Sequence, residues 1–490
     1  MGYLRKQYLP TDQEQQMTPS EAIKQLREKL PPENRDSALT EFLYRLSLDA
    51  HRHHMGKMMT VPRVDQVDSG WLEAWYTPGV SAVSRAIRDN EQVSFSHTAR
   101  GRTVAVVSDS ARVPGDGDVT PSGGMGVMEG KALLMNLLGG FDAVPLCLDV
   151  NGDMVRFVDT VNAVSPSFAV VNLEDISQPG CYTVLRELQK SCPVPVWHDD
   201  AQGTACVTLA GLLNALKVTG KTIESARIVF MGAGAANSTS AKLILAAGAK
   251  AGNIMLFDVH GGLHEGRLKD FQGDAWEWHR ELCSRTNPEQ VEDIREGIRG
   301  ADVLIAASKP GPDTIHPSWI RKMADNAIVF ACANPVPEIY PDDAFAAGAA
   351  IVATGRGDYP NQVNNSLGFP GILKGVLLSG ATAITDRMAV AAGRAIADYA
   401  VQGIVGSGRI LPAMTDTGLF PHVAAAVAAA ARSEGVARIP VSSEEVYRIA
   451  SEDMKAAREA WAAVTATSAV KPYPEKRLKE LLKQILKEYQ

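Results

Sequence analysis

An α/β fold with two doubly wound parallel-sheet domains, a helical N-terminal module and a helical C-terminal tail is predicted by three features of the sequence. Short β-branched runs alternate with Gly-punctuated helical stretches twice over, first from Arg102 and again from Arg227. A Gly-rich turn stands between strand and helix at the head of the second series. The first hundred residues and the alanine-rich stretch beyond Gly371 carry helical periodicity and no strand pattern.

The N-terminal module opens a helix at Thr18-Pro19-Ser20-Glu21, which has capping-box spacing with proline in the first helical position. Leu39, Phe42, Leu43 and Leu46 then recur at helical spacing. His51-Arg52-His53-His54 reads as a solvated helix end, since no acidic or cysteine ligand accompanies the histidines. Strands are expected at 103–107, 143–148, 168–172 and 194–197, and in the second series at 227–231, 254–257, 303–306, 327–331 and 350–352. Helices are expected at 381–401, 423–431 and 475–489. In the last of these, Leu478, Leu481, Leu482 and Ile485 form one apolar stripe suited to packing or an oligomer contact. The expected division is a helical module at 1–100, a catalytic and metal domain at 101–200 completed by 366–435, a dinucleotide domain at 201–365 and a tail at 436–490.

Length and composition exclude several classes. A chain of 490 residues at roughly 150 per domain has room for about three domains and large cores. Lys+Arg 49 against Asp+Glu 56 leaves a net charge of −7, which argues against nucleic acid as the main partner. No apolar run approaches the roughly 20 residues that span a bilayer, so no membrane partner is expected. The six cysteines include no CxxC pair, and the opening MGYLRKQYLP lacks an apolar signal core; a cytoplasmic location follows as the expectation.

Three groups of residues carry chemistry. Val229-Phe230-Met231-Gly232-Ala233-Gly234-Ala235-Ala236-Asn237 joins a strand to a helix, and Asp258 ends the next strand. That is a Rossmann-like dinucleotide fingerprint: glycines for the tight turn, helix-terminal amides for a pyrophosphate, and a carboxylate for a ribose hydroxyl. Asn237 departs from the usual third small residue. Leu173-Glu174-Asp175 and His198-Asp199-Asp200 follow two strands of the first series. Their spacing suits two readings, N-caps of the helices that follow, or oxygen ligands for magnesium or manganese. Lys131, after a Gly- and Asp-rich loop, and Tyr76, in Trp75-Tyr76-Thr77-Pro78-Gly79-Val80, acquire roles only within an ensemble.

From about Trp75 to Arg438 the chain resembles the malic enzymes. The resemblance is carried by Tyr76 to Val80, Val127 to Lys131, Asn172 to Ile176, His198-Asp199-Asp200 with Gly203-Thr204-Ala205, Ala333 to Glu338, and Ala353-Thr354-Gly355-Arg356 through Asp358 to Asn365 and Phe369-Pro370-Gly371. It implies Lys131 as general base, Tyr76 as general acid and Asp199 as the group that orients Lys131. It implies Glu174, Asp175 and Asp200 as metal ligands, Arg112 as the grip on a substrate carboxylate, and Asn334 and Asn365 as amides around substrate and nicotinamide. The implied reaction is oxidation and decarboxylation of L-malate to pyruvate with NAD, NADP being possible, and Mg²⁺ or Mn²⁺, in a homodimer or homotetramer. Asp258 favours NAD, because a carboxylate there repels a 2′-phosphate. Departures at Ser110-Ala111, Pro114 and Ala201-Gln202 bear on substrate choice. A malolactic-type enzyme, an enzyme for another β-carboxylated 2-hydroxy acid, and a non-catalytic metabolite sensor are the alternatives.

Overall fold

The computed structural model describes residues 17–113, 115–357, 359, 361–401 and 409–490; Pro114, Asp358 and Pro360 lie outside these residues. Two compact units divide the chain, one formed by its two ends, up to Val61 and from Lys455, the other by Pro62–Met454.

In the first unit, helix α1 (Pro19–Lys29) begins with the expected capping box: the Thr18 hydroxyl accepts from the Glu21 amide and the Glu21 carboxylate accepts from the Thr18 amide. Helix α2 (Pro32–His54) buries Leu39, Phe42 and Leu46 against Leu478, Leu482 and Ile485 of the C-terminal helix Glu475–Tyr489, whose apolar stripe is thereby covered. His51 to His54 form the last turn of α2, where positive charge suits the helix dipole.

The second unit starts with helices α3 (Ser69–Trp75) and α4 (Val80–Asp89), neither of which has a buried residue. Four parallel strands follow, β1 (Thr103–Ser108), β2 (Asp142–Cys147), β3 (Val170–Leu173) and β4 (Val196–His198), in the order β2-β1-β3-β4. Helices α5 (Thr120–Gly139), α6 (Met154–Val164) and α7 (Gly180–Ser191) make the crossovers. Val104, Val106 and Val107 are buried without alternation, as a parallel strand covered on both faces requires. Helix α8 (Thr204–Val218) leads to the second sheet. There β5 (Ile228–Met231), β6 (Ile254–Asp258), β7 (Gly261–Gly262), β8 (Val303–Ala306), β9 (Ala327–Ala331) and β10 (Ala349–Thr354) lie in the order β10-β9-β8-β5-β6-β7. Only the two-residue edge strand β7 is antiparallel. Helix α9 (Ala235–Ala246) follows β5.

Helices α10 (Phe369–Ser379), α11 (Asp386–Val401) and α12 (Leu419–Ser433) close the second unit. The expected start of α11 at 381 moves to Asp386, because the Thr385 hydroxyl caps the helix by accepting from the Met388 amide. Gly371 and Gly375 let α10 lie directly on α12: a Cβ at Gly375 would stand 2.6 Å from the Ala424 carbonyl oxygen. No described helix is long and apolar enough to cross a membrane.

Candidate active site

The carboxyl ends of β1, β3 and β4 bring the acidic clusters together, at the point where the strand order reverses. One potential ligand atom from each of Glu174, Asp175 and Asp200 lies within 4.8 Å of the other two. The N-cap alternative is not realised, since the N-caps of α7 and α8 are Pro179 and Gly203, neither with a side-chain hydrogen bond. Glu174 and Asp175 are both 2% exposed. Burial, reinforced by Asp200, pushes the Glu174 carboxyl well above its ordinary range and that of Asp175 up to about 8. Asp175 adopts the left-handed region with φ 52°, an uncommon backbone state for aspartate, and its amide donates to Asp200 Oδ2 at 2.7 Å. Its Oδ2 is buried with no hydrogen-bond partner. A crowd of buried carboxylates with an orphaned oxygen fits a hard divalent cation, which would neutralise the repulsion and occupy the free lone pair.

Lys131, on α5, reaches into this cluster. Its ammonium pairs with Asp199 Oδ2 and lies 3.1 Å from Glu174 Oε1, with the Phe369 ring centroid 4.4 Å away. Burial alone would push the ammonium down, but Asp199, Glu174 and Asp200 outweigh it and hold Lys131 above its usual range. Asp199 is fully buried, and its other oxygen accepts from the Trp197 indole N–H at 3.1 Å. The wide turn Asp199–Gly203 makes room for this carboxylate: any side chain at Gly203 would collide with Asp199 Oδ1. The expected orienting partner of Lys131 is therefore in contact with it.

The sequence reading gave Trp197 only as the end of a strand, Asn172 only as part of a matching stretch and Gln202 only as a departure, with no role for any of the three side chains. Asn172 donates to Glu174 Oε2 at 3.0 Å, and Gln202 accepts from the His198 amide at 3.0 Å. Trp197 reads as an ordinary core residue in a strand, and its indole donor has meaning only once the turn folds Asp199 back onto it.

The other expected residues are distributed unevenly. Asn365 packs against Gly203, its Cβ 3.3 Å from where a Gly203 Cβ would be, and so adjoins Asp199. Arg112 is tied to the cluster through its backbone, its amide donating to the Asp175 carbonyl at 3.0 Å, while its side chain is exposed. Asn334 is exposed in the loop after β9, against Gly355, where a Cβ would stand 2.7 Å from Asn334 Nδ2. Tyr76 is 76% exposed, and no described hydrogen bond or ion pair joins it to Lys131.

The dinucleotide turn forms as the sequence predicts. Gly232, at φ 96°, turns the chain after β5, where a Cβ would stand 2.7 Å from the Ala307 carbonyl oxygen, and Gly234 precedes α9. Ala233, Ala235 and Ala236 complete a surface of small residues. The departure at Asn237 has a structural use: its buried amide donates to the Met231 and Gly232 carbonyls, both at 2.9 Å, bracing the turn. Gln178, in the loop after the Asp175 cluster, stands 3.6 Å from the Cβ position of Gly234, so the nucleotide turn lies against the loop that leaves the carboxylates. Asp258 ends β6 as expected but is not a free carboxylate. Arg267 Nη1 and Nη2 each contact it at 2.9 Å, and the His260 amide donates at 2.7 Å. These interactions outweigh burial and hold the Asp258 carboxyl below its ordinary range.

A dinucleotide turn and, close by, a carboxylate cluster around a nearly enclosed lysine define a dinucleotide-linked enzyme of the α/β class. Comparison with known proteins makes the assignment specific. The family described as "Malic enzyme, N-terminal domain" matches residues 54–189, and that described as "Malic enzyme, NAD binding domain" matches residues 201–432. The chain belongs to the malic enzyme family. It is 40% identical over 401 residues to the bifunctional malic/malolactic enzyme of Bacillus subtilis, covering 82% of this chain and 96% of that protein. With the NAD-dependent malic enzyme of Geobacillus stearothermophilus it shares 41% over 393 residues, 79% of this chain and 80% of that one. The crystal structure of Entamoeba histolytica malic enzyme superposes with a TM-score of 0.91 at 48% identity, covering 95% of this chain and 98% of that chain.

Proposed function

We propose that this chain oxidises and decarboxylates L-malate to pyruvate and CO2 with reduction of NAD(P). The reading is carried by the contact of Lys131 with Asp199 and Glu174 beside the carboxylates Glu174, Asp175 and Asp200. Glu174, Asp175 and Asp200 would hold Mg²⁺ or Mn²⁺, which would supply Lewis-acid stabilisation of the negative charge that develops on the substrate. The nicotinamide supplies the hydride acceptor. Lys131 takes the proton of the C2 hydroxyl as general base. Asp199 fixes the direction of its Nζ. Arg112 holds a substrate carboxylate, Asn334 and Asn365 orient substrate and nicotinamide, and Tyr76 returns a proton to C3 after CO2 departs. The residues fit a small-molecule substrate, and the first sheet carries the chemistry while the second carries the dinucleotide.

The test is a panel of malate and related β-carboxylated 2-hydroxy acids with each cofactor in the presence of manganese, read by cofactor reduction. Malate should be the best substrate; an inert response to the whole panel would favour the metabolite-sensor alternative. The six free cysteines agree with a cytoplasmic location. A homodimer or homotetramer is the assembly we propose, supported by the exposed apolar faces of α3 and α4.

Two smaller effects follow. Trp197→Phe keeps an aromatic ring, smaller than the indole, and removes one hydrogen bond to a buried carboxylate, so kcat should fall about tenfold, with the KM for malate and the manganese affinity little changed. Steady-state kinetics with a metal titration check it. For the cofactor, NAD remains the preferred partner, but Arg267 neutralises Asp258 and the margin over NADP is narrower than a free carboxylate would give. Asp258→Ser releases Arg267 Nη2 towards a 2′-phosphate while Asp270 and the Gly261 carbonyl keep the guanidinium in place, and the ratio of kcat/KM for NADP to that for NAD should rise about tenfold.

A further inference from the structure

Asn237 holds two carbonyls of the dinucleotide turn, those of Met231 and Gly232. The next carbonyl, of Ala233, is held from two directions. Ser238 Oγ, in the first turn of α9, donates to it at 3.0 Å, and His279 Nε2, 46 residues further along the chain, lies 2.8 Å from it. A carbonyl oxygen only accepts, so Nε2 carries the proton and His279 is the donor. Its Nδ1 is buried without a hydrogen-bond partner.

His279 stands on the helix Glu277–Arg285 and is 1% exposed. Three rings enclose it: Phe271 stacks on it with centroids 5.1 Å apart, while Trp276 and Tyr182 meet it edge-on at 4.8 and 5.6 Å. Burial among these rings pushes the imidazole below its ordinary value and keeps it neutral. A phenyl ring would suit such a cage without leaving an orphaned nitrogen, so packing alone does not account for a histidine here. Its described polar contacts are the Ala233 carbonyl and the Ser238 hydroxyl, 3.4 Å from the same Nε2. Both belong to the nucleotide turn and the helix it opens.

The peptide bond transmits this grip. In a planar trans peptide the C=O and N–H point in opposite directions, so a fixed Ala233 carbonyl fixes the direction of the Gly234 N–H, away from the buried cage. No described backbone hydrogen bond uses that N–H, and Gly234, Ala235 and Ala236 are partly open to solvent. An amide so placed at the head of α9 is a donor for an anionic phosphate. We infer that Ser238 and His279 are positioning residues for the dinucleotide, together aiming the Gly234 amide at its pyrophosphate. The inference rests on the dinucleotide of the proposed function.

Equilibrium binding of NADH and NADPH, followed by the fluorescence of the reduced nicotinamide, tests this without turnover. Binding of whichever dinucleotide the parent holds should weaken about tenfold in His279→Phe and about threefold in Ser238→Ala, each of which removes one donor from a buried acceptor. His279→Gln, whose side-chain amide offers an N–H near the place of Nε2, should recover most of the loss. In steady state the KM for the cofactor should rise while kcat and the KM for malate stay within about twofold. Manganese affinity, set by Glu174, Asp175 and Asp200, should match the parent and show that each variant is folded. Parental dinucleotide affinity in Ser238→Ala would overturn the inference, and decides alone if His279→Phe does not fold. Equal weakening in His279→Phe and His279→Gln, the pattern of a merely packed ring, would overturn it too. A parent that binds a dinucleotide but turns over no acid of the panel would refute the proposed reaction and leave this inference standing on the variants; a parent that binds neither dinucleotide would overturn both.

Discussion

Lys131→Ala should slow malate oxidation by about 10²- to 10⁴-fold, the range for a positioned proton-transfer group. The ammonium is nearly enclosed, paired with Asp199 and Glu174 and lying over Phe369, and no other described amine shares its place in these contacts. Its deletion also leaves Asp199 buried without its cation, an arrangement that costs stability as well as rate. The kinetic effect is separable from that loss. Exogenous primary amines should restore part of the rate in the alanine variant, and decarboxylation of supplied oxaloacetate should suffer less than malate oxidation. Stopped-flow measurement of each partial reaction checks both statements. Equal loss in the two steps would transfer Lys131 from oxidation to general structural support.

Asp200→Ala is expected to lower activity on the order of 10³-fold at moderate manganese, because Lewis-acid stabilisation is worth several kcal/mol and the variant keeps two of three carboxylates. Calorimetric titration should show manganese affinity falling in parallel, and added manganese should recover part of the rate. Removing Asp200 also removes a like charge that faces Glu174 and Asp175, so the folded protein without metal should be no less stable than the parent. Full turnover by Asp200→Ala after exhaustive chelation would refute the metal assignment.

Much of this arrangement can be read before any coordinate is known. The β-branched runs mark the parallel strands because most of these, the edge strand β2 excepted, are buried on both faces and have little choice of composition. Gly232 announces the dinucleotide turn because few other residues accept its left-handed backbone so close to the carbonyl of Ala307. The carboxylates Glu174, Asp175 and Asp200 are legible as types, but their convergence depends on β3 and β4 being neighbours, which local sequence does not encode. The use of Asn237 to brace the turn, of Trp197 to hold Asp199 and of Arg267 to neutralise Asp258 are all side-chain contacts set by tertiary geometry. Asp258 illustrates the difference: its position at the end of β6 follows from the strand pattern, whereas its charge state in the field of Arg267, nine residues on, depends on how the edge strand β7 folds back.

The central claim is that this site couples oxidation of malate to loss of CO2 and releases the reduced cofactor. Product stoichiometry with manganese, malate and the preferred cofactor tests it most directly, with pyruvate, lactate, CO2 and reduced cofactor followed in one reaction. The account predicts one pyruvate and one reduced cofactor for every CO2. Lactate formed in step with CO2, without net cofactor reduction, would contradict it and assign the chain the malolactic reaction instead.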